Sequence, residues 1–146
     1  MKAVLQVVKG AKLTVAGQAV SEIGKGMVVF FCAEKGDNDE KLAYIVKKIA
    51  GLRIFADENG KTNLSVKDVE GEILFVSQFT LAGDCERGFR PSFFGAEEPE
   101  RAKKMYVAAG KMLESFAGVP VKYGVFGADM QIEQINDGPF TILLEK

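Results

Sequence analysis

The sequence predicts an α/β fold of the α+β type: a single strand-rich domain over residues 1–146, with two helices available to cover one sheet face. Three observations carry this reading. Apolar residues alternate with polar ones near the start, two uninterrupted apolar runs (residues 27–33 and 73–76) read as buried strands, and only two segments carry a helical stripe. No internal repeat of about 20 to 50 residues and no Pro/Gly/Ser-rich linker divides the chain.

Taken in order, Ala3, Leu5 and Val7 and then Leu13 and Val15 predict two strands with turns near Gly10, Gly17 and Gly24 to Gly26, before a third strand at residues 27–33. Asp37 followed by Glu40 has capping-box character, and Leu42, Ile45, Val46 and Ile49 recur at helical spacing until Gly51. Strands at 52–55 and 73–78 flank an irregular stretch with a turn at 57–60. Pro99 suits the opening of a second helix, whose stripe of Ala102, Met105, Tyr106, Ala109, Met112, Leu113 and Phe116 stops before Gly118. Three closing strands are predicted at 121–125, 130–135 and 140–144, the last pair joined by a turn over 136–139.

A chain of 146 residues with 47% hydrophobic and 27% charged residues reads as a soluble globular protein. The longest apolar run, seven residues at 27–33, is far short of the roughly 20 needed to cross a bilayer, and the opening MKAVLQVVKG lacks a signal-peptide core. A cytoplasmic protein with no membrane partner is therefore expected. Cys32 and Cys85 read as free thiols. The absence of histidine excludes Ser-His-Asp and Cys-His catalysis and the HExxH zinc site together. A formal charge of −1 argues against generic nucleic-acid binding and leaves room only for a local basic patch.

Three segments can carry chemistry. Ser77, Gln78 and Thr80 follow an apolar strand, where hydroxyl and amide groups meet a ligand, although a strand entering a turn commonly carries such residues. Between Gly83 and Phe93, Arg87 and Arg90 accompany Phe89, Phe93 and the rigid Pro91; this composition suits phosphates and stacked bases, or equally a solvated loop. In residues 136–141, Pro139 cannot donate to a ladder, so nearby carbonyls are freed, unless the segment is a plain hairpin turn. Cys85 has no neighbouring base in sequence to make it a nucleophile.

The opening strand with Gln6, GLRIF at 51–55, NLSV at 63–66, SQFTL at 77–81, GFRPSF at 88–93, FGADMQ at 126–131 and NDGPFT at 136–141, in this order, resemble the D-aminoacyl-tRNA deacylase family, also called D-tyrosyl-tRNA deacylase. The resemblance implies mixed sheets and two helices in β/β/α layers. It also implies a homodimer that hydrolyses the ester between a D-amino acid and the terminal adenosine of tRNA, without metal or organic cofactor. Catalytic roles carry over to Gln78, to the backbone of Phe79 and Thr80, and to Gly138 and Pro139. The Gly138–Pro139 bond would be cis and supplied across the dimer interface, its main-chain carbonyls rejecting L side chains. Glycine would pass that filter, so glycine mischarged on alanine tRNA is a second expected substrate. Thr80 is either a nucleophile or, as we prefer, a positioning hydroxyl beside an assisting 2′-OH.

Ser77, Phe89, Arg90, Met130 and Asn136 are expected to bind substrate, and Arg87, Lys103 and Lys104 to meet tRNA phosphates. Two positions depart from the family pattern: Val7 stands where arginine usually braces the Gly-Pro segment, and Phe140 where valine is usual. The alternative is a non-catalytic tRNA-binding or editing-like module, similar to the editing domain of archaeal threonyl-tRNA synthetases.

Overall fold

The computed structural model describes residues 1–146. β1 (Lys2–Val15) runs fourteen residues without a break. Gly10, expected to turn, lies inside it, where the register against β8 shifts between Val8 and Gly10; it marks an irregularity in the ladder rather than a bend. β2 (Gln18–Ile23), a largely exposed strand with little apolar signal, was not among the expected strands. β3 (Gly26–Cys32) follows, with Met27 to Val29, Phe31 and Cys32 all buried.

β3 and β6 (Glu72–Ser77) pair in parallel, Met27 with Ile73 through Phe31 with Ser77, and β7 (Val121–Tyr123) adds a further parallel strand. Strands buried on both faces need uninterrupted apolar sequence, as both runs have. The first half of β1 pairs with β3 and its second half with β2, all antiparallel, while β8 (Met130–Glu145) follows the opposite edge of β1 over both halves. The sheet coils until β2 lies over its other end: Ser21 Oγ donates to the Tyr123 carbonyl at 2.6 Å, and Gly24 N–H to Glu72 at 2.7 Å.

β8 corrects the expectation of two strands joined by a hairpin turn. Residues 136–139 stay within one sixteen-residue strand, and their unusual composition makes a bulge. Gln6 pairs with Thr141 and Val8 with Asn136, so Val7 alone faces the four residues from Asp137 to Phe140. The Gly138–Pro139 peptide bond is cis.

One sheet face is covered by α1 (Asp39–Gly51) and α2 (Pro99–Ala117), over a core that includes Leu5, Val7, Phe31, Ile45, Phe75, Tyr106 and Leu113. Val8, Ala11, Leu13, Ile23, Val28, Leu74 and Val76 fill the coil on the other face. α2 opens on Pro99 as expected and ends on a left-handed Gly118. α1 is capped differently: Asn38, not Asp37, accepts from the Lys41 N–H, at 3.0 Å. Asp37 is buried instead, accepting from the Glu34 N–H at 2.7 Å and the Met1 ammonium at 2.9 Å. Between α1 and β6 only the short strands β4 (Phe55–Ala56) and β5 (Thr62–Leu64) form, in place of a strand at 52–55; the Asp57 carboxylate closes the turn between them through the N–H groups of Asn59 and Lys61.

A Cβ at Gly26 would overlap the Glu72 carbonyl oxygen and stand 2.7 Å from its nitrogen. Gly26→Ala should therefore push β3 from β6 and cost about 3 kcal/mol or more. Urea unfolding checks this, and an unchanged midpoint would refute it.

Candidate active site

Parallel strands leave their carboxyl ends unpaired, and ligands collect just beyond them. β3 and β6 end side by side: the Gln78 N–H donates to the Phe31 carbonyl at 2.7 Å, the last rung of their ladder. Beyond it the chain tightens into a 3-10 turn over Phe79–Ala82. A helical turn leaves its first N–H groups without partners inside the turn, here those of Phe79 and Thr80.

A cavity of about 490 Å³ opens at this point. Its walls are Phe31 and Cys32 at the end of β3 with Ala33 after it, Val76 and Ser77 at the end of β6 with Gln78 and Phe79 after it, Ala96 and Glu97 before α2, Pro99 and Ala102 within it, Phe126 to Asp129 from the β7–β8 connection, and Met130 and Ile132 from β8. A mostly apolar pocket with few polar groups is the usual form of a small-ligand site. The Gln78 side chain donates Nε2–H to Thr80 Oγ1 at 2.5 Å. Thr80 itself lies just outside the wall, exposed.

Of the expected site residues, the fold brings Ser77, Gln78, Phe79 and Met130 to the cavity and Thr80 to its rim. Phe93 reaches the rim through an edge-to-face contact with Phe79, ring centres 5.2 Å apart. Arg87, Phe89 and Arg90 ride on a loop closed by reciprocal hydrogen bonds between Asp84 and Ser92, 2.8 and 2.9 Å, and all three are exposed. Lys103 and Lys104 are exposed on α2. Asn136, Gly138 and Pro139 do not line the cavity of their own chain; Gly138 and Pro139 lie in the β8 bulge, and Asn136, paired with Val8 at its edge, accepts through Oδ1 from the Phe140 N–H at 3.1 Å.

Sequence reasoning missed Cys32, Glu97, Ala102 and Asp129 as walls. Only Asp129 carried a signal, as a neighbour of Met130 in FGADMQ. Glu97 is engaged elsewhere, with Oε2 on Arg101 and Oε1 on the Glu98 N–H. Cys32 Sγ–H points at the carbonyls of Ala33 (3.4 Å) and Phe79 (3.6 Å). Burial, with the Glu34 carboxylate adding to it, pushes this thiol up to about 11. Behind the cavity, Tyr106 donates its O–H to the Phe75 carbonyl at 2.7 Å and packs 6.0 Å from the ring of Phe126; burial pushes its phenol up to about 12. Neither group ionises near neutral pH. The arrangement offers oriented N–H, amide and hydroxyl groups rather than a charged nucleophile.

The family model described as D-Tyr-tRNA(Tyr) deacylase matches residues 4–145. The D-aminoacyl-tRNA deacylase of Magnetococcus marinus is 52% identical over 145 residues, covering 99% of this chain and 96% of that protein. That of Geobacter sulfurreducens is 48% identical, covering 99% and 95%. A solved structure described as c-Myc DNA Unwinding Element Binding Protein has a TM-score of 0.93 at 42% identity, covering 100% of this chain and 99% of that one. Another, described as a probable eukaryotic D-amino acid tRNA deacylase, has a TM-score of 0.84 at 20% identity, covering 98% and 97%, a likeness of fold.

A thiol held neutral and turned to carbonyls resists alkylation. At pH 8 the folded protein should take up one equivalent of iodoacetamide, at exposed Cys85, and a second only after denaturation. Rapid labelling of Cys32 in the folded state, located by peptide mass, would contradict this picture.

Proposed function

The chain belongs to the D-Tyr-tRNA(Tyr) deacylase family and is a D-aminoacyl-tRNA deacylase, an ester hydrolase, and on that premise we propose how its residues divide the work. The observation that carries the reading is the cavity at the joint ends of β3 and β6, with Gln78 hydrogen-bonded to Thr80 at its mouth.

An aminoacyl ester is already activated, so its hydrolysis chiefly requires an oriented water and donors at the developing oxyanion. The N–H groups of Phe79 and Thr80, opening the 3-10 turn, supply those donors, and Gln78 holds the ester and terminal adenosine with Ser77 and Met130. Water adds to the carbonyl carbon, the acyl C–O bond breaks, and the ribose oxygen leaves as a hydroxyl after taking a proton, with the adjacent 2′-OH assisting. Thr80 positions this arrangement. Its Oγ1 accepts from an amide, Gln78, which cannot remove a proton, and this favours positioning over nucleophilic attack.

Selection for the D configuration falls to Gly138 and Pro139, lent by a second copy, whose main-chain carbonyls occupy the space an L side chain would need. A backbone wall tests the configuration at the alpha carbon and is blind to side-chain identity, so a broad range of D-amino acids follows, and glycine on alanine tRNA passes too. The exposed apolar residues Ile135 and Leu143 on β8 support a homodimer that would cover them. Asn136 shapes the filter through Phe140; Phe89 and Arg90 approach the acceptor end. The enzyme would act in the cytoplasm, on the acceptor end of aminoacyl-tRNA.

Purified protein incubated with D-tyrosyl-tRNA and L-tyrosyl-tRNA should release tyrosine from the D ester only, and Thr80→Ala should retain at least roughly a tenth of that activity, a loss within about 1.4 kcal/mol of barrier. Complete inactivation with intact folding and tRNA binding would return Thr80 to the nucleophile role. If Arg87, Lys103 and Lys104 meet phosphates, replacing all three by alanine should flatten the log–log salt dependence of tRNA binding by about two to three units. An unchanged slope would mark them as ordinary solvated residues.

A further inference from the structure

The bulge in β8 poses a mechanical problem. Four residues, Asp137 to Phe140, stand opposite Val7 alone, so the β1 ladder does not fix their place. Something else must hold them, because a main-chain carbonyl that moves freely cannot exclude anything. Phe140 is half-buried against the helix-covered core, and its N–H is held by Asn136 at the edge of the bulge. Lys9 stands 3.7 Å from Asp137, but both side chains are largely exposed and the pair is weak.

The remaining tie runs beneath the bulge. Gln6, which pairs with Thr141 on the far shoulder, donates Nε2–H to Thr141 Oγ1 at 3.3 Å. Its Oε1 accepts from Gln134 Nε2 at 2.7 Å, although Gln134 pairs with Ala11, on the near side of the bulge. The two amides therefore bridge both shoulders. Gln134 Oε1, by contrast, is buried without a partner. An unsatisfied buried acceptor is a standing cost that an apolar side chain at this position would avoid, and such costs gather where a polar group serves something other than stability.

We propose that Gln6 and Gln134 are positioning residues for stereochemical discrimination: their amide–amide hydrogen bond clamps the two shoulders of the bulge and thereby fixes where the Gly138 and Pro139 carbonyls stand. This rests on the reading that the bulge is the chirality filter. The clamp acts through the bulge and touches no reacting atom, so it governs the ratio of L to D hydrolysis rather than D hydrolysis itself.

The test compares kcat/KM for D-tyrosyl-tRNA and L-tyrosyl-tRNA in the full-length wild type and in Gln134→Leu, Gln6→Leu and Gln6→Glu, with thermal unfolding beside each. Gln134→Leu removes the clamp and the orphaned oxygen together. It should leave the melting temperature equal or higher and the D reaction within about threefold, while the L-to-D ratio rises about tenfold. Amide exchange at Phe140 should quicken by a similar factor. Gln6→Glu keeps an acceptor for Gln134 and should lie between wild type and Gln6→Leu, and the double leucine variant should be no worse than either single one, as for two ends of one contact. Should Gln6→Leu fail to fold, Gln134→Leu and Gln6→Glu still decide. A selective wild type whose ratio is unmoved in Gln134→Leu overturns the clamp alone. A wild type that hydrolyses both esters equally overturns the filter reading, and the clamp with it.

Discussion

Backbone pairing along both edges of β1 joins segments that are far apart in sequence. Its first half is bonded to β3 and β8, its second half to β2 and β8, so residues 2–15 are tied to residues 130–145. Every register in the main sheet follows from that arrangement. With β1 held on both sides, β3 is placed, β6 aligns with it in parallel, and the two end together. The cavity beyond those ends is a consequence of strand length and register before any side chain is considered. Changes that slip one register, such as a side chain added at Gly26, reach the site without touching it.

The chemistry of the cavity is set by what the fold keeps neutral. Histidine is absent, the Cys32 thiol and Tyr106 phenol are held in their protonated forms by burial, and Glu97 is engaged with Arg101. Apart from the Asp129 carboxylate in the wall, what remains at the mouth is an amide, a hydroxyl and backbone N–H groups. Such groups do not titrate between pH 5 and 9, and their contribution lies in orientation. Catalysis of this kind suits an ester that is reactive in its own right.

Much of this was legible from residue order. The α2 stripe and the Pro99 start are local signals, as are the continuous apolar runs of β3 and β6, and the structure has them, except that Phe116 at the end of the stripe is exposed and Ala117 is buried in its place. SQFTL was recognisable as polar groups at a strand end, and it does reach the cavity. The failures share a cause. Gly10 looked like a turn and residues 136–139 like a hairpin because local sequence favours both, but two long strands pairing end to end outweigh a local preference. β2 escaped notice because pairing with the second half of β1, not its own hydrophobicity, makes it a strand. Asp37 had the composition of a cap and was taken inward by the Met1 ammonium. Cys32, Ala102 and Glu97 become walls only through tertiary packing, which no short window of sequence contains.

β8 is paired on one side only, and a sixteen-residue strand with a free flank is the kind of surface on which proteins polymerise. The bulge at residues 137–140 cuts that flank into two short lengths, and Pro139 offers no N–H at the break. The same four residues therefore act as a guard against edge-to-edge pairing along β8. Straightened into regular ladder, they would leave one long, flat edge open to pairing with another chain.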